Sequence, residues 1–220
     1  MTPARYARLS EILDRRQPDL TVLMDNVHKP HNVSAVIRTC DAVGVAEIHA
    51  VSAAASFKAR RSSAGGTGRY VPVHLHSTTE AGIDWLRRRG FRVLAAHLTP
   101  SSRDFRTVDY TLPTAILLGT EKDGVSDETE AMVDGSIEIP IVGAVESLNV
   151  SVAAAIILYE AQRQRAAARL YDTPRLDEVT RQSLLFEWGY KRLAQYCRRK
   201  GIPYPRVGPG GEILDPIPRG

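Results

Sequence analysis

Short apolar runs and longer amphipathic stretches alternate along the first 170 residues of the chain. Each apolar run has the length of a buried strand, and the runs predict strands at 20–26, 45–51, 70–75, 91–98, 114–119 and 136–142. Between them, apolar residues three and four positions apart predict helices at 3–16, 32–43, 79–89 and 149–169. Strands separated by helices predict an α/β fold, with a mostly parallel sheet that carries helices on both faces.

Polar residues that favour helix caps mark where three of these helices begin. Asn32 is expected to open the helix over 32–43, and a short helix is expected to start near Ser126 or Asp127. Ser147 or Asn149 is expected to cap the long helix that follows. The apolar stripe of the helix over 32–43 consists of Val33, Val36, Ile37 and Cys40.

The pattern divides the chain into three parts. A basic helix over 1–19 precedes a core over 20–170, and the character changes near Thr173 to a basic, aromatic, helical extension over 171–220 with a tail rich in Pro and Gly. The N-terminal segment is taken as mature structure, because Glu11 and Asp14 interrupt its positive charge. No apolar run approaches the roughly 18 residues that a membrane span needs, so no membrane association is expected.

Composition indicates a cytoplasmic protein without a structural metal. Two cysteines, Cys40 and Cys197, make no disulfide framework and lack zinc-ligand spacing. The net charge is +4, and 24 of the 29 basic residues are Arg. An Arg fork suits phosphate, which favours RNA binding, but a GC-rich genome would produce the same bias.

Three segments rich in turn residues follow predicted strands, where ligands bind in open α/β sheets. They are HKPHNVSAVIRTCDAVG at 28–44, LLGTEKDGVSDE at 117–128 and IPIVGAVESLNVSVAAAI at 139–156. In the first, Arg38 lies off the apolar stripe, either to meet a ligand or as a solvated partner of Asp41. In the second, Gly119 allows close approach of a ligand to backbone, although an ordinary strand-to-helix connection is equally compatible.

In order and spacing, these strings resemble the three signature motifs of the SPOUT superfamily of RNA methyltransferases, and most closely its TrmH type. The resemblance covers most of residues 1–170, and 171–204 is similar to longer members of that type. It implies a C-terminal trefoil knot, a homodimer, S-adenosyl-L-methionine as cofactor, and methylation of the ribose 2′-hydroxyl of guanosine 18 in the D loop of tRNA. One departure is Glu146, where close relatives usually have Gln.

The resemblance also assigns roles to residues that match its motifs. Arg38 corresponds to the catalytic residue, either as a base assisted by RNA phosphate or as a charged group that stabilises the developing alkoxide. The other matching active-site positions are Asn32, Glu121, Ser147 and Asn149. The cofactor would be held largely by the backbone of Ala96, Leu118, Gly119, Ile139 and Leu148.

Basic groups outside these motifs are candidate tRNA contacts. Arg8, Arg15 and Arg16 share an arc of the N-terminal helix, and Arg60 and Arg61 lie in the polar loop over 53–69. A third patch, interleaved with Tyr190 and Tyr196, occupies the C-terminal extension at Lys191, Arg192, Arg198, Arg199 and Lys200. A solvated face is the usual explanation of any one patch, but three patches together favour tRNA contact.

Other enzyme classes lack their motifs in this chain. The G-x-S-x-G of a serine hydrolase and the G-x-x-x-x-G-K-[ST] phosphate loop are absent, and no glycine-rich turn follows the first strand as a Rossmann fold requires. Two alternatives stay open: the same chemistry on another RNA target, and an RNA-binding module without turnover.

Overall fold

The computed structural model describes residues 1–27, 29–52, 57, 70–120 and 124–216. The chain divides into two compact units, one of residues 18–170 and one that joins 1–17 with 171–220. Among the described residues, none of the helices has the length and apolar character required to cross a membrane.

The unit of residues 18–170 is built on a sheet of seven parallel strands in its described part. Their bounds are β1 Leu20–Asp25, β2 Ile48–Val51, β3 Val73–His76, β4 Arg92–Ala96, β5 Arg103–Asp104, β6 Thr114–Leu118 and β7 Ser136–Glu138. The spatial order is β3-β2-β1-β6-β4-β7-β5. After β1 the chain continues to β2 on one side of the sheet, and after β6 it continues to β7 on the other side. The topological switch point therefore lies between β1 and β6.

Helices cover both faces of this sheet, as predicted. Their bounds are α2 Pro30–Ala42, α3 Thr79–Arg87, α4 Asp127–Glu130 and α5 Val150–Ala167. Alternation along β1 separates two apolar cores: Val22 and Met24 pack with α2 and α5, whereas Leu23 packs with α3. The mostly parallel α/β sheet is therefore confirmed. The trefoil knot stays a prediction, because strand order alone does not trace the path of the chain.

Several element boundaries differ from those predicted. The strand expected at 136–142 ends at Glu138, and the two-residue strand β5, with a 3₁₀ turn at Phe105–Thr107, was not predicted. The expectation that Asn32 caps α2 is wrong, because the helix begins at Pro30 with Lys29 as its N-cap residue. Proline at the first helical position sets the helical φ there and needs no amide partner. Asn149 caps α5 as expected, because its side chain accepts from the Ser151 amide.

The second unit contains the N-terminal and C-terminal helices that the sequence predicts. They are α1 Pro3–Asp14, α6 Glu178–Gly189 and α7 Lys191–Lys200. Helix α1 contacts α6, and the Arg181 guanidinium donates to Asp14 Oδ1 at 2.9 Å. The helical part of the C-terminal extension is interrupted at Tyr190, and α7 is capped by Gly201, whose φ of 64° suits glycine.

Candidate active site

A hydrogen bond joins two of the sequence motifs across the core. Asn149 Nδ2, at the start of α5, donates to Asn32 Oδ1 in α2 at 3.2 Å. The two residues are 117 positions apart, and they meet because α2 and α5 pack against each other on one face of the sheet. The fold therefore brings the first and third motifs into one site.

The orientation of the Asn149 amide follows from its second role as a helix cap. Its Oδ1 accepts from the Ser151 amide at 2.8 Å and from the Ser151 hydroxyl at 2.7 Å. Because these two groups need an acceptor, Nδ2 must be the atom directed at Asn32. Asn32 itself is 1% exposed, so its side chain holds Asn149 from inside the core.

Arg38 lies on the exposed side of α2, opposite the buried Val36 and Ile37. Within the described residues no ion pair joins it to Asp41, so the alternative of a solvated i, i+3 pair is not supported. Ser147 lies in the loop before α5 and is exposed. Glu121 of the second motif lies outside the described residues.

Gly119 has a structural reason to be glycine. An added Cβ would lie 2.2 Å from the carbonyl oxygen of Gly124, closer than any real contact. Thr120 and Gly124 exchange backbone hydrogen bonds of 2.8 and 3.2 Å, which hold Gly124 against the end of β6. A side chain at position 119 would therefore collide with Gly124, which accounts for the glycine there.

The five residues expected to hold the cofactor lie at or after the carboxyl ends of neighbouring strands. Strands β6, β4 and β7 are adjacent, and Leu118, Ala96 and Ile139 end or follow them. Leu148 is half-buried in the loop before α5. The carboxyl edge of adjacent parallel strands is where open α/β sheets bind ligands, so the positions of these residues suit a cofactor site.

The candidate tRNA contacts on α1 and directly after it differ in solvent exposure. Arg8 is exposed, and Arg15 is exposed with a surface ion pair to Glu11 at 3.1 Å. Arg16 differs: it is 1% exposed, with its guanidinium 5.3 Å from the centre of the Trp188 ring. Arg16 packs inside its unit and does not present a charge on the surface. Arg60 and Arg61 lie outside the described residues.

Sequence reasoning missed a cleft of about 380 Å³ at the switch point. This β1–β6 cleft is lined by Asp25, Asn26, Thr79, Thr120, Gly124, Ser126, Glu128, Thr129 and Met132. The sequence carried one signal of it: the polar pair Asp25-Asn26 at the end of a mostly apolar strand. Asn26 has a φ of 52°, in the left-handed region that asparagine tolerates better than most residues.

Comparison with known proteins places these features in one family. Residues 19–159 match the model of the SpoU rRNA Methylase family, and residues 163–216 match a model described as SpoU, rRNA methylase, C-terminal. A tRNA (guanosine(18)-2'-O)-methyltransferase of Escherichia coli is 53% identical over 215 residues, 97% of this chain and 94% of the relative. A Thermus thermophilus enzyme of the same name is 54% identical, covering 85% of this chain and 96% of the relative.

Solved structures agree with the sequence relatives. The A. aeolicus TrmH/SpoU tRNA modifying enzyme has a TM-score of 0.78 and 40% identity, covering 86% of this chain and 97% of that one. The SpoU methyltransferase AviRb from Streptomyces viridochromogenes, solved in complex with the cofactor AdoMet, has a TM-score of 0.61 and 27% identity, covering 70% and 62%.

Proposed function

We propose that this chain, which belongs to the SpoU family of RNA methyltransferases, methylates the ribose 2′-hydroxyl of guanosine 18 in tRNA. The methyl donor is S-adenosyl-L-methionine, which supplies an electrophilic methyl group when bound. The observation that carries the proposal is the hydrogen bond between Asn149 and Asn32, because it joins the third motif to the motif that carries the exposed Arg38. The named tRNA relatives, matched over nearly their whole length, favour this target.

Some residues of the site orient other side chains, and one acts directly on the reacting ribose oxygen. Asn32, buried in the core, acts as a positioning residue that orients Asn149. Arg38 meets the ribose oxygen, either charged and stabilising the developing alkoxide, or assisted by RNA phosphate in taking the proton. Ser147 and Glu121 complete the RNA side of the site. The backbone of Ala96, Leu118, Gly119, Ile139 and Leu148 holds the cofactor.

The direct test is methyl transfer from labelled S-adenosylmethionine to unmodified tRNA transcripts, with the modified nucleotide mapped. We expect one 2′-O-methyl group, at guanosine 18. A ribosomal RNA fragment serves as the competing substrate, since a Coxiella burnetii relative, 36% identical over 163 residues, is named a 23S rRNA (guanosine-2'-O-)-methyltransferase. Transfer to the ribosomal fragment and not to tRNA would overturn the assignment of target. Binding of tRNA without transfer would overturn the assignment as an enzyme.

The Asn32–Asn149 contact predicts coupled losses of rate. Asn32→Ala and Asn149→Ala should each lower the rate at saturating tRNA, and the double variant should lose less than the product of the single losses, because either change breaks the same bond. Single-turnover rates of all four proteins measure this coupling. Multiplicative losses would mean that Asn32 does not act through Asn149.

We also propose a homodimer in the cytoplasm. The loop before α5 and α5 itself carry four exposed apolar side chains, those of Val142, Val145, Val152 and Tyr159. Val152 and Tyr159 are seven residues apart and therefore share one face of the helix. An exposed apolar helix face is typical of an interaction surface, and the occupant proposed here is a second copy of the chain.

Light scattering at micromolar concentration should therefore give about twice the 24.2 kDa mass of one chain. Tyr159→Asp should shift the mass toward one chain, because a charge on the interface has no partner. Leu112→Asp is the matched control, since Leu112 is an exposed apolar residue outside this surface. A monomeric wild type would contradict the dimer, and equal dissociation by both variants would contradict this choice of surface.

For tRNA binding, Arg8 and Arg15 of α1 are the proposed phosphate contacts. Each neutralised phosphate contributes about 0.9 to the slope of log affinity against log salt, so Arg8→Ala should weaken tRNA binding and flatten the slope by about one. The rate at saturating tRNA should change little, because uniform binding losses appear in KM. Arg106→Ala, at an exposed Arg paired with Asp104, is the control. A wild-type slope for the Arg8 variant would make α1 a solvated helix.

A further inference from the structure

The β1–β6 cleft lies where an α/β sheet of this topology binds ligands. It opens at the carboxyl ends of β1 and β6, and the strand order reverses its direction of connection between these two strands. Its volume of about 380 Å³ can hold a small planar ligand. Its wall includes Thr120 and Gly124, the two residues that flank the segment containing Glu121.

The cleft contains a carboxylate with a fixed orientation. Asp25 is 7% exposed, and its Oδ1 accepts from the Thr79 hydroxyl at 2.7 Å and from Asn26 Nδ2 at 2.8 Å. Both bonds go to the same oxygen, so Oδ2 keeps its capacity to accept. A buried carboxylate is stable when its oxygens receive hydrogen bonds, and a ligand that donates to Oδ2 would complete the set.

The remaining lining groups define which ligand fits. Because Asn26 Nδ2 is engaged by Asp25, the amide oxygen of Asn26 is a further acceptor, and Glu128 adds an exposed carboxylate. None of the described lining residues is Lys or Arg. The carboxylates of Asp25 and Glu128 therefore favour the edge of a ligand that presents hydrogen-bond donors.

Among the RNA bases, guanine presents two adjacent donors, N1–H and the N2 amino group, on its Watson–Crick edge. Two carboxylates that line one cleft can accept one donor each in charge-assisted hydrogen bonds. Adenine and cytosine offer one amino group there beside a ring acceptor, which a carboxylate repels. Bases splayed out of an RNA loop are read on this edge. The chain that leaves the cleft at Asn26 leads within six residues to Asn32 in the active site.

From this geometry we infer that the β1–β6 cleft binds the guanine base of the target nucleotide, with Asp25 and Glu128 accepting from its N1–H and N2 amino groups. The inference rests on the proposed function and names the groups that select guanosine as its substrate.

The test compares tRNA transcripts that carry guanosine or inosine at position 18, because inosine lacks the N2 amino group. With the wild type, inosine should lower kcat/KM at least about tenfold, the loss typical of removing one hydrogen bond to a charged group. Asp25→Asn and Glu128→Gln should each lower kcat/KM for guanosine by about tenfold or more, while the preference over inosine falls toward one. If Asp25→Asn does not fold, Glu128→Gln decides. Glu130→Gln, on the same short helix but outside the cleft, should match the wild type.

Three results would separate the possible failures. If the folded cleft variants keep the wild-type preference for guanosine over inosine, the base is not read in the cleft. If they lose calorimetric binding of S-adenosylhomocysteine, the cleft belongs to the cofactor, and the inference is equally wrong. A wild type that transfers no methyl group to position 18 overturns the proposed function itself, whatever the variants do.

Discussion

Replacement of Arg38 by Ala should lower the rate of methyl transfer at saturating tRNA by at least about 100-fold, the loss typical of removing a group that acts on charge or a proton in the transition state. S-adenosylmethionine should still bind within a few-fold, because the proposed cofactor contacts come from the backbone of other segments. Single-turnover transfer to tRNA measures the first effect and isothermal calorimetry the second.

Arg38→Lys tests which role the guanidinium has. Lysine keeps the positive charge and loses the planar fork, so partial activity would support charge stabilisation, whereas activity as low as that of the Ala variant would require the fork itself. If a variant lost cofactor binding but kept its turnover at saturating substrate, Arg38 would contact the cofactor and not the RNA, and the assignment would be wrong. The salt slope of tRNA binding should change little in either variant, in contrast to Arg8→Ala.

The largest effect on stability should come from Arg165→Met. The Arg165 side chain is completely buried and donates to Asp19 Oδ1 at 2.6 Å, and to the carbonyl oxygens of Tyr110 at 2.9 Å, Asp19 at 3.1 Å and Leu112 at 3.3 Å. Removing the guanidinium takes this donor away from the Asp19 carboxylate and from the three carbonyl oxygens. Loss of one partner of a buried ion pair lowers the free energy of unfolding by about 3–5 kcal/mol. Urea unfolding should show this as a lower midpoint at unchanged slope.

Arg163→Met, two residues earlier in α5, is the matched control. Its guanidinium is exposed and pairs with Glu160 at 2.7 Å, and a surface pair of this kind contributes about 0–1 kcal/mol. Equal destabilisation by the two substitutions would mean that the buried network of Arg165 contributes no more than a surface pair.

Arg165 and Arg16 also bear on how the Arg-rich composition is interpreted. Both are buried, one in a hydrogen-bond network and one against Trp188. Their side chains stabilise the fold, so part of the excess of arginine has no connection with RNA. The charge count could not distinguish these residues from Arg8, because burial depends on neighbours that are remote in sequence.

Local pattern was enough to determine the elements and their faces. The period of apolar residues in α2 placed Val36 and Ile37 inside and Arg38 outside, and the structure agrees. The polar residue before α5 indicated its cap correctly, since a cap acts within one turn of helix. The motif strings likewise identified the family, because their residues are contiguous.

The tertiary structure decided what depends on distant partners. Asn32 and Asn149 are 117 residues apart in sequence and form a hydrogen bond. Helix α2 starts two residues before its predicted first residue, because Pro30 and not Asn32 begins it. The β1–β6 cleft is lined by residues from position 25 to position 132, so no window of sequence contains it. Periodicity reports which way a side chain faces within its own element, whereas contacts between elements follow from the order of strands in the sheet, which determines the loops that become neighbours.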